Sequence, residues 1–368
     1  MSDPARRRFR GKHLLAGGLV CACLLAAIGF GLQRAPLPSS PPLPVPNGFD
    51  DLVAAGLSIH GPVPNDPAKA DEPTLAAYVA ANGEALARAR IGLARSCRVP
   101  LDESQTTLDA HIKRTSALRG VARLLIAAGR LAEIQGRPTE AARDYREVIT
   151  LGIAGTRGGL VIDVLTGFAC ESGGVDGLRR VAGTIDAAHC RELSQAIEPL
   201  DRDREEIAAV LARDYGWFHA TSGMPMRIYG ALFARTLKGI NLPAEKSATT
   251  AAAKARVRLR TLLASLALRG YRLEHGADPK GMAALVPDYL STIPRDPTDG
   301  EAFRIKGEPG AGVTIDLEPS EGADVKPRAE GRASEDQSGQ SESGGEGEGQ
   351  PAGEGQKSAD RGAFGQRG

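Results

Sequence analysis

Nineteen consecutive uncharged residues, Leu14 to Leu32 (LLAGGLVCACLLAAIGFGL), constrain this chain more than any other feature. As a helix they extend roughly 28 Å, about the thickness of a bilayer's hydrocarbon core. A transmembrane anchor is therefore expected at 14–32. Arg6, Arg7, Arg8, Arg10 and Lys12 precede it against a single Asp3. Beyond it only Arg34 carries positive charge before Lys69. Positive flanks stay cytoplasmic, so the expected topology is single-pass in the inner (cytoplasmic) membrane, with the N-terminus inside and the body extracytoplasmic. A cleaved signal peptide is the main competitor, but Phe30-Gly31-Leu32-Gln33-Arg34-Ala35-Pro36 offers no A-x-A-like site. Val20-Cys21-Ala22-Cys23 loosely matches a lipidation site, yet apolar or small residues continue after it. Arg6-Arg7-Arg8-Phe9 partly matches a twin-arginine signal, with Arg10 where an apolar residue is wanted.

Behind the anchor, nine prolines fall between Pro36 and Pro67. Fixed φ and missing amides make such a stretch a semi-rigid spacer, so residues 33–73 read as a Pro-rich linker. Within it, Phe49-Asp50-Asp51-Leu52-Val53 is an apolar patch suited to docking on the body. Aromatics make up only 4% of the chain, which favours helices packed through small residues over a β-sandwich. Net charge is +1, so nothing in the balance of charge asks for nucleic acid, and none is expected as a partner.

From 74 to 245 a helical domain is expected. Thr74–Ser96 is Ala-rich, and Ser104–Gln135 reads as one long helix or two abutting ones. There Leu118, Val121, Leu125, Ala128 and Ala132 recur three or four apart and form one apolar stripe. Gly136-Arg137-Pro138-Thr139 stops and restarts the helix. Ser172-Gly173-Gly174 reads as a further break, with short helices at Val175–Ile185 and Cys190–Ile197. Asp201-Arg202-Asp203-Arg204-Glu205-Glu206 is expected to open the next helix, where carboxylates suit the dipole. Tyr215, Trp217, Phe218, Tyr229 and Phe233 gather after it. They are expected to fill a small-residue core; a groove or the membrane interface is the other reading.

The segment 246–318 is expected to hold a long helix, Ser247–His275, and a small β unit. Leu259, Leu262, Leu263 and Leu266 form its inward face, while its many arginines read as a solvated face. Residues 319–368 are rich in Gly, Glu, Ser and Gln, carry one aromatic, Phe364, and are expected to be a disordered tail. The fold class is thus mainly α: an irregular, repeat-like helical-hairpin domain, then a helix-plus-β-hairpin unit, between an N-terminal transmembrane helix and the tail.

Three resemblances bear on this layout. Leu125, Gly129, Gly136, Ala141 and Tyr145 fall at the offsets of a tetratricopeptide repeat, so 122–152 resembles one such repeat; Ala128 and Ala132 depart from its pattern. Tyr271-Arg272-Leu273-Glu274-His275-Gly276 followed by Pro294-Arg295-Asp296-Pro297 resembles the C-terminal part of type II secretion pseudopilins, over 256–305. That resemblance implies a small helix-plus-sheet unit, with Asp296 and Asp299 at the position where such proteins bind calcium. The whole order, from basic start to YRLEHG, LVPDYL and IPRDPTDG, is similar to a group of uncharacterised bacterial membrane-anchored helical proteins, which brings no activity with it.

Chemistry is sparse. His13, His60, His111, His189, His219 and His275 are scattered, and no HExxH, CxxC, GxSxG or Walker loop occurs. Gly155-Thr156-Arg157-Gly158-Gly159 lacks the Lys-Ser/Thr of a phosphate loop. His189-Cys190 are adjacent but point apart on a helix. An extracytoplasmic location permits a Cys170–Cys190 bridge that leaves Cys97 free. No catalytic, cofactor or metal residues are assigned. The expected function is a non-catalytic, membrane-anchored scaffold for other envelope proteins. A component of a secretion or pilus-like assembly and an envelope enzyme with a dispersed site are the alternatives.

Overall fold

The computed structural model describes residues 41–101, 108–221, 234–306 and 314–315. The anchor at 14–32, the tail at 319–368, Tyr229 and Phe233 lie outside the described residues. Among the described residues, no helix is long and apolar enough to cross a membrane.

Nine α-helices run in order through the described residues: α1 (Gly48–Ser58), α2 (Glu72–Ala81), α3 (Gly83–Leu93), α4 (Leu108–Ile134), α5 (Pro138–Ala154), α6 (Val161–Ala182), α7 (Ala187–Arg202), α8 (Ile207–Thr221) and α9 (Ala234–His275). A 3₁₀ turn, Met282–Leu285, and the two-residue strands β1 (Arg304–Ile305) and β2 (Thr314–Ile315) follow. The mainly helical class is as expected.

Helix starts follow capping chemistry. Asn47 accepts from the Phe49 amide at 3.2 Å, Asp71 from Thr74 at 3.0 Å and Asp186 from His189 at 2.8 Å. Asn82 separates α2 from α3 because its side chain is committed elsewhere: it donates to the carbonyls of His60 and Tyr78 and accepts from the His60 amide. At Gly136 the φ of +69° lets the Arg137 amide reach back to the Ala132 carbonyl at 2.8 Å, so α4 and α5 fold into a hairpin.

Part of the stretch read as a linker, residues 41–73, contributes to the core. Within them α1 buries Phe49 (2% exposed) and Leu52 (0%). Asn47 fixes the point where the chain joins: its side chain donates to the Arg98 carbonyl at 2.8 Å and accepts from the Arg98 amide at 3.0 Å.

Two apolar cores share α5 between them. One is built from α1–α4 with Val148 and Leu151 of α5. The other joins Tyr145, Ile149 and Ile153 of α5 to α6, α7, α9, the 3₁₀ turn and the strands. The stripe Leu118, Val121, Leu125, Ala128, Ala132 is buried, and so are Leu259, Leu262, Leu263 and Leu266.

Several boundaries differ from the sequence reading. Helix α6 runs unbroken through Ser172-Gly173-Gly174. The glycines there serve approach rather than termination: a Cβ on Gly177 would sit 2.3 Å from the Tyr145 ring, and one on Gly174 2.7 Å from the Tyr145 carbonyl oxygen. Asp201 and Arg202 close α7 instead of opening α8, and 203–206 form the connection. Helix α9 begins at Ala234 and passes through Pro243, so Ser247 and Thr249 are interior rather than caps.

The expected β-hairpin is also corrected. β1 and β2 pair in parallel, Arg304 opposite Thr314 and Ile305 opposite Ile315. Parallel register lets both isoleucines turn into the same core, where each is buried. The tight reversal lies earlier, at an antiparallel bridge between Arg295 and Ala302.

Candidate binding cleft

A cavity of about 210 Å³ opens where the C-terminal end of α5 meets α6, the start of α8 and α9. Ile153, Val164, Phe168, Ile207 and Val210 line its walls, and Arg157, Glu206, Thr249 and Arg256 stand at the lining's polar positions. The α7–α8 connection positions this end of α8, and the connection is held by ion pairs rather than by apolar packing.

The pairs are specific. Arg204 donates both terminal nitrogens to Glu171, at 2.9 and 2.7 Å, with both side chains under 10% exposed. Its guanidinium also lies 5.7 Å from the Phe168 ring centroid. Asp201 accepts from Arg260 of α9 at 2.7 Å. Arg213 of α8 forks onto Glu205 at 2.5 and 2.7 Å, and Glu205 takes the Gly158 amide as well. Arg256 donates to Glu206 at 2.8 Å.

Burial raises the Glu171 carboxyl above its usual value, with Arg204 drawing it back. Arg204 is itself held above its usual value: burial works to lower it, and the Glu171 charge and hydrogen bonds outweigh that. At Glu205, burial works to raise the carboxyl, but Arg213 and the Gly158 amide hold it below the usual range. These carboxylates therefore have their oxygens engaged by structural partners. They fix helices in place and shape the cleft around an apolar floor.

The α9 arginines, read from the sequence as a solvated face, are tied to neighbours instead. Arg256 meets Glu206, Arg258 meets Ser172, Arg260 meets Asp201, and Arg269 donates to the carbonyls of Gly183 and Ile185. They join α9 to α6, α7 and the connection.

A second buried polar group was invisible in the sequence. His111 Nε2 lies 2.8 Å from Asp163 Oδ2, and Asp163 also accepts from Thr115 at 3.1 Å and the Leu160 amide at 2.7 Å. An acceptor-only carboxylate makes Nε2 the protonated nitrogen. The contact pins α4 to the first turn of α6. Nothing local marks it, because fifty-two positions separate the two residues.

The candidates from the sequence are dispersed. Cys170 and Cys190 are buried free thiols, one in each core, so the possible bridge between them is not formed. Burial pushes Cys97, Cys170 and Cys190 each up to about 11. Cys97, Cys170 and Cys190 are therefore expected to resist alkylation by iodoacetamide at pH 8 in the native protein and to react once urea unfolds it; rapid native labelling of any of the three, located by peptide mass so that Cys21 and Cys23 are counted apart, would contradict this. His189 turns outward to Asp186 at 2.8 Å while Cys190 turns inward, so they form no dyad. Asp296 accepts from the amide and hydroxyl of Thr298, and Asp299 from the Glu301 amide, which is turn chemistry. Among the described residues no group of three or more His, Cys, Asp or Glu is placed to hold a metal ion.

No protein family matches this chain, and no curated protein or solved structure matches it.

Proposed function

We propose that the chain is a membrane-tethered helical binding module, held in the inner membrane by residues 14–32 and presenting its folded unit outside the cytoplasm to other envelope proteins. The observation supporting this reading is the cleft itself: an apolar floor between rigidly paired helices, with paired ions at its rim. A cleft of that size takes one large apolar side chain of a partner, and the rim supplies oriented hydrogen bonds around it. Carboxylates already engaged by arginines are suited to shaping a surface rather than to moving protons.

The test is site-specific photo-crosslinking in intact cells. A photoreactive residue replacing Ala252, in the cleft lining, is expected to give one discrete protein adduct. Filling the floor with Val210→Trp is expected to remove that adduct while leaving the chain folded. Equal labelling from a remote position such as Ala277, or no adduct from position 252, would count against the reading.

A further inference from the structure

Tyr215 and Phe218 do not fill a core. They are 61% and 51% exposed on α8. Ile162 and Leu165, at 42% and 39%, stand out from the first turns of α6, and Ile112, at 41%, from the start of α4. The contacts beneath bring these three helix ends together. The Val161 amide donates to Asp214 at 3.0 Å, beside Ile162 and Tyr215. His111, next to Ile112, reaches Asp163 and lies 6.4 Å from the Trp217 ring, centroid to centroid. Five large apolar side chains thus surround one end of the bundle, at i,i+3 spacing on α6 and on α8.

That end is also where the tether arrives. Asn47 is clamped to Arg98, the Val99 amide donates to the Arg157 carbonyl at 2.9 Å, and Leu160 to Asp163 follows directly. Fourteen positions, 33–46, separate the apolar run from Asn47. Even fully extended they reach no more than about 50 Å, which sets the greatest distance between the apolar run and the point where the chain enters the folded unit. On α4, Lys113 and Asp109, both exposed, lie beside Ile112, and Arg119 is exposed two turns further on.

We infer that this end of the folded unit, with Ile112, Ile162, Leu165, Tyr215 and Phe218, rests in the headgroup region of an anionic phospholipid bilayer. Aromatic and aliphatic side chains are favoured at that depth, and nearby cations are drawn to anionic headgroups. The inference rests on the membrane-tethered part of the proposed function. It makes the anchor and the bundle end two points of contact with the same membrane.

Trp217 is the single tryptophan of the chain and is half-buried against His111, on the same helix as the two exposed aromatics, so it reports on that end of the unit at short range. The full chain is reconstituted into phosphatidylcholine–phosphatidylglycerol vesicles carrying bromine on the acyl chains near the headgroup. Flotation with the vesicles and quenching of Trp217 emission is the expected result. Tyr215→Ser with Phe218→Ser should abolish quenching without loss of flotation. Ile162→Ser with Leu165→Ser, on a different helix, should do the same, which separates surface contact from misfolding of either variant. Flotation with Trp217 unquenched would overturn the inference and leave the anchor standing. A chain that does not float would overturn the tether and the inference together.

Discussion

An Arg204→Met chain is expected to lose about 3–5 kcal/mol of folding stability, because a buried carboxylate is left without its partner. Glu171 is 2% exposed and accepts hydrogen bonds only from Arg204 among the described contacts. Its charge is left buried without a partner once the fork is gone. Arg204 also bridges towards Asp201, which holds Arg260, so the loss spreads to the contact between the α7–α8 connection and α9. Urea unfolding followed by circular dichroism measures the effect. The double change Glu171→Leu with Arg204→Met removes both charges and should recover most of the stability, since apolar replacement of a complete buried pair is often neutral or better. A single variant as stable as the parent would show that the pair is dispensable.

Tyr145→Ala is the second large effect, again about 3–5 kcal/mol, as for the deletion of a large buried aromatic. The ring is fully buried between α4 and α6, against glycines on both sides. Where the ring meets Gly129 and Gly177 there are no side chains to move into the space left behind. Its hydroxyl donates to Glu133 at 2.8 Å and accepts from Arg180 at 2.9 Å. Tyr145→Phe keeps the ring and loses only these bonds, for which about 1 kcal/mol is expected. Thermal unfolding of the two variants side by side separates packing from hydrogen bonding. Equal losses would mean the hydroxyl, not the ring, holds the hairpin.

These two sites show what the sequence made legible and what it hid. Local periodicity was enough to find the buried stripe of α4 and the leucines of α9, because spacing of three and four encodes a helix face within one element. Gly129 and Tyr145 were singled out only through the offsets of a helical-repeat pattern, and their contact comes from the close approach of α4 and α5. Gly173 and Gly174 were misread as a break. Glycine that permits close packing and glycine that ends a helix are the same letter, and only the neighbouring helix tells them apart. Glu171 and Arg204 gave no signal, since a pair thirty-three positions apart has no period. The strands were found but their parallel pairing was not, because two residues carry no register of their own. Tyr215 and Phe218 were misplaced for a related reason: scarcity suggested a core, whereas α8 leaves both side chains exposed.

Membrane topology is the most direct test of the account as a whole. Alkaline phosphatase and green fluorescent protein are each fused after Glu318 of the chain in a bacterial host. The account predicts active phosphatase and dark fluorescent protein, with both fusions in the membrane fraction. A fluorescent fusion with inactive phosphatase would put the folded unit in the cytoplasm and contradict it.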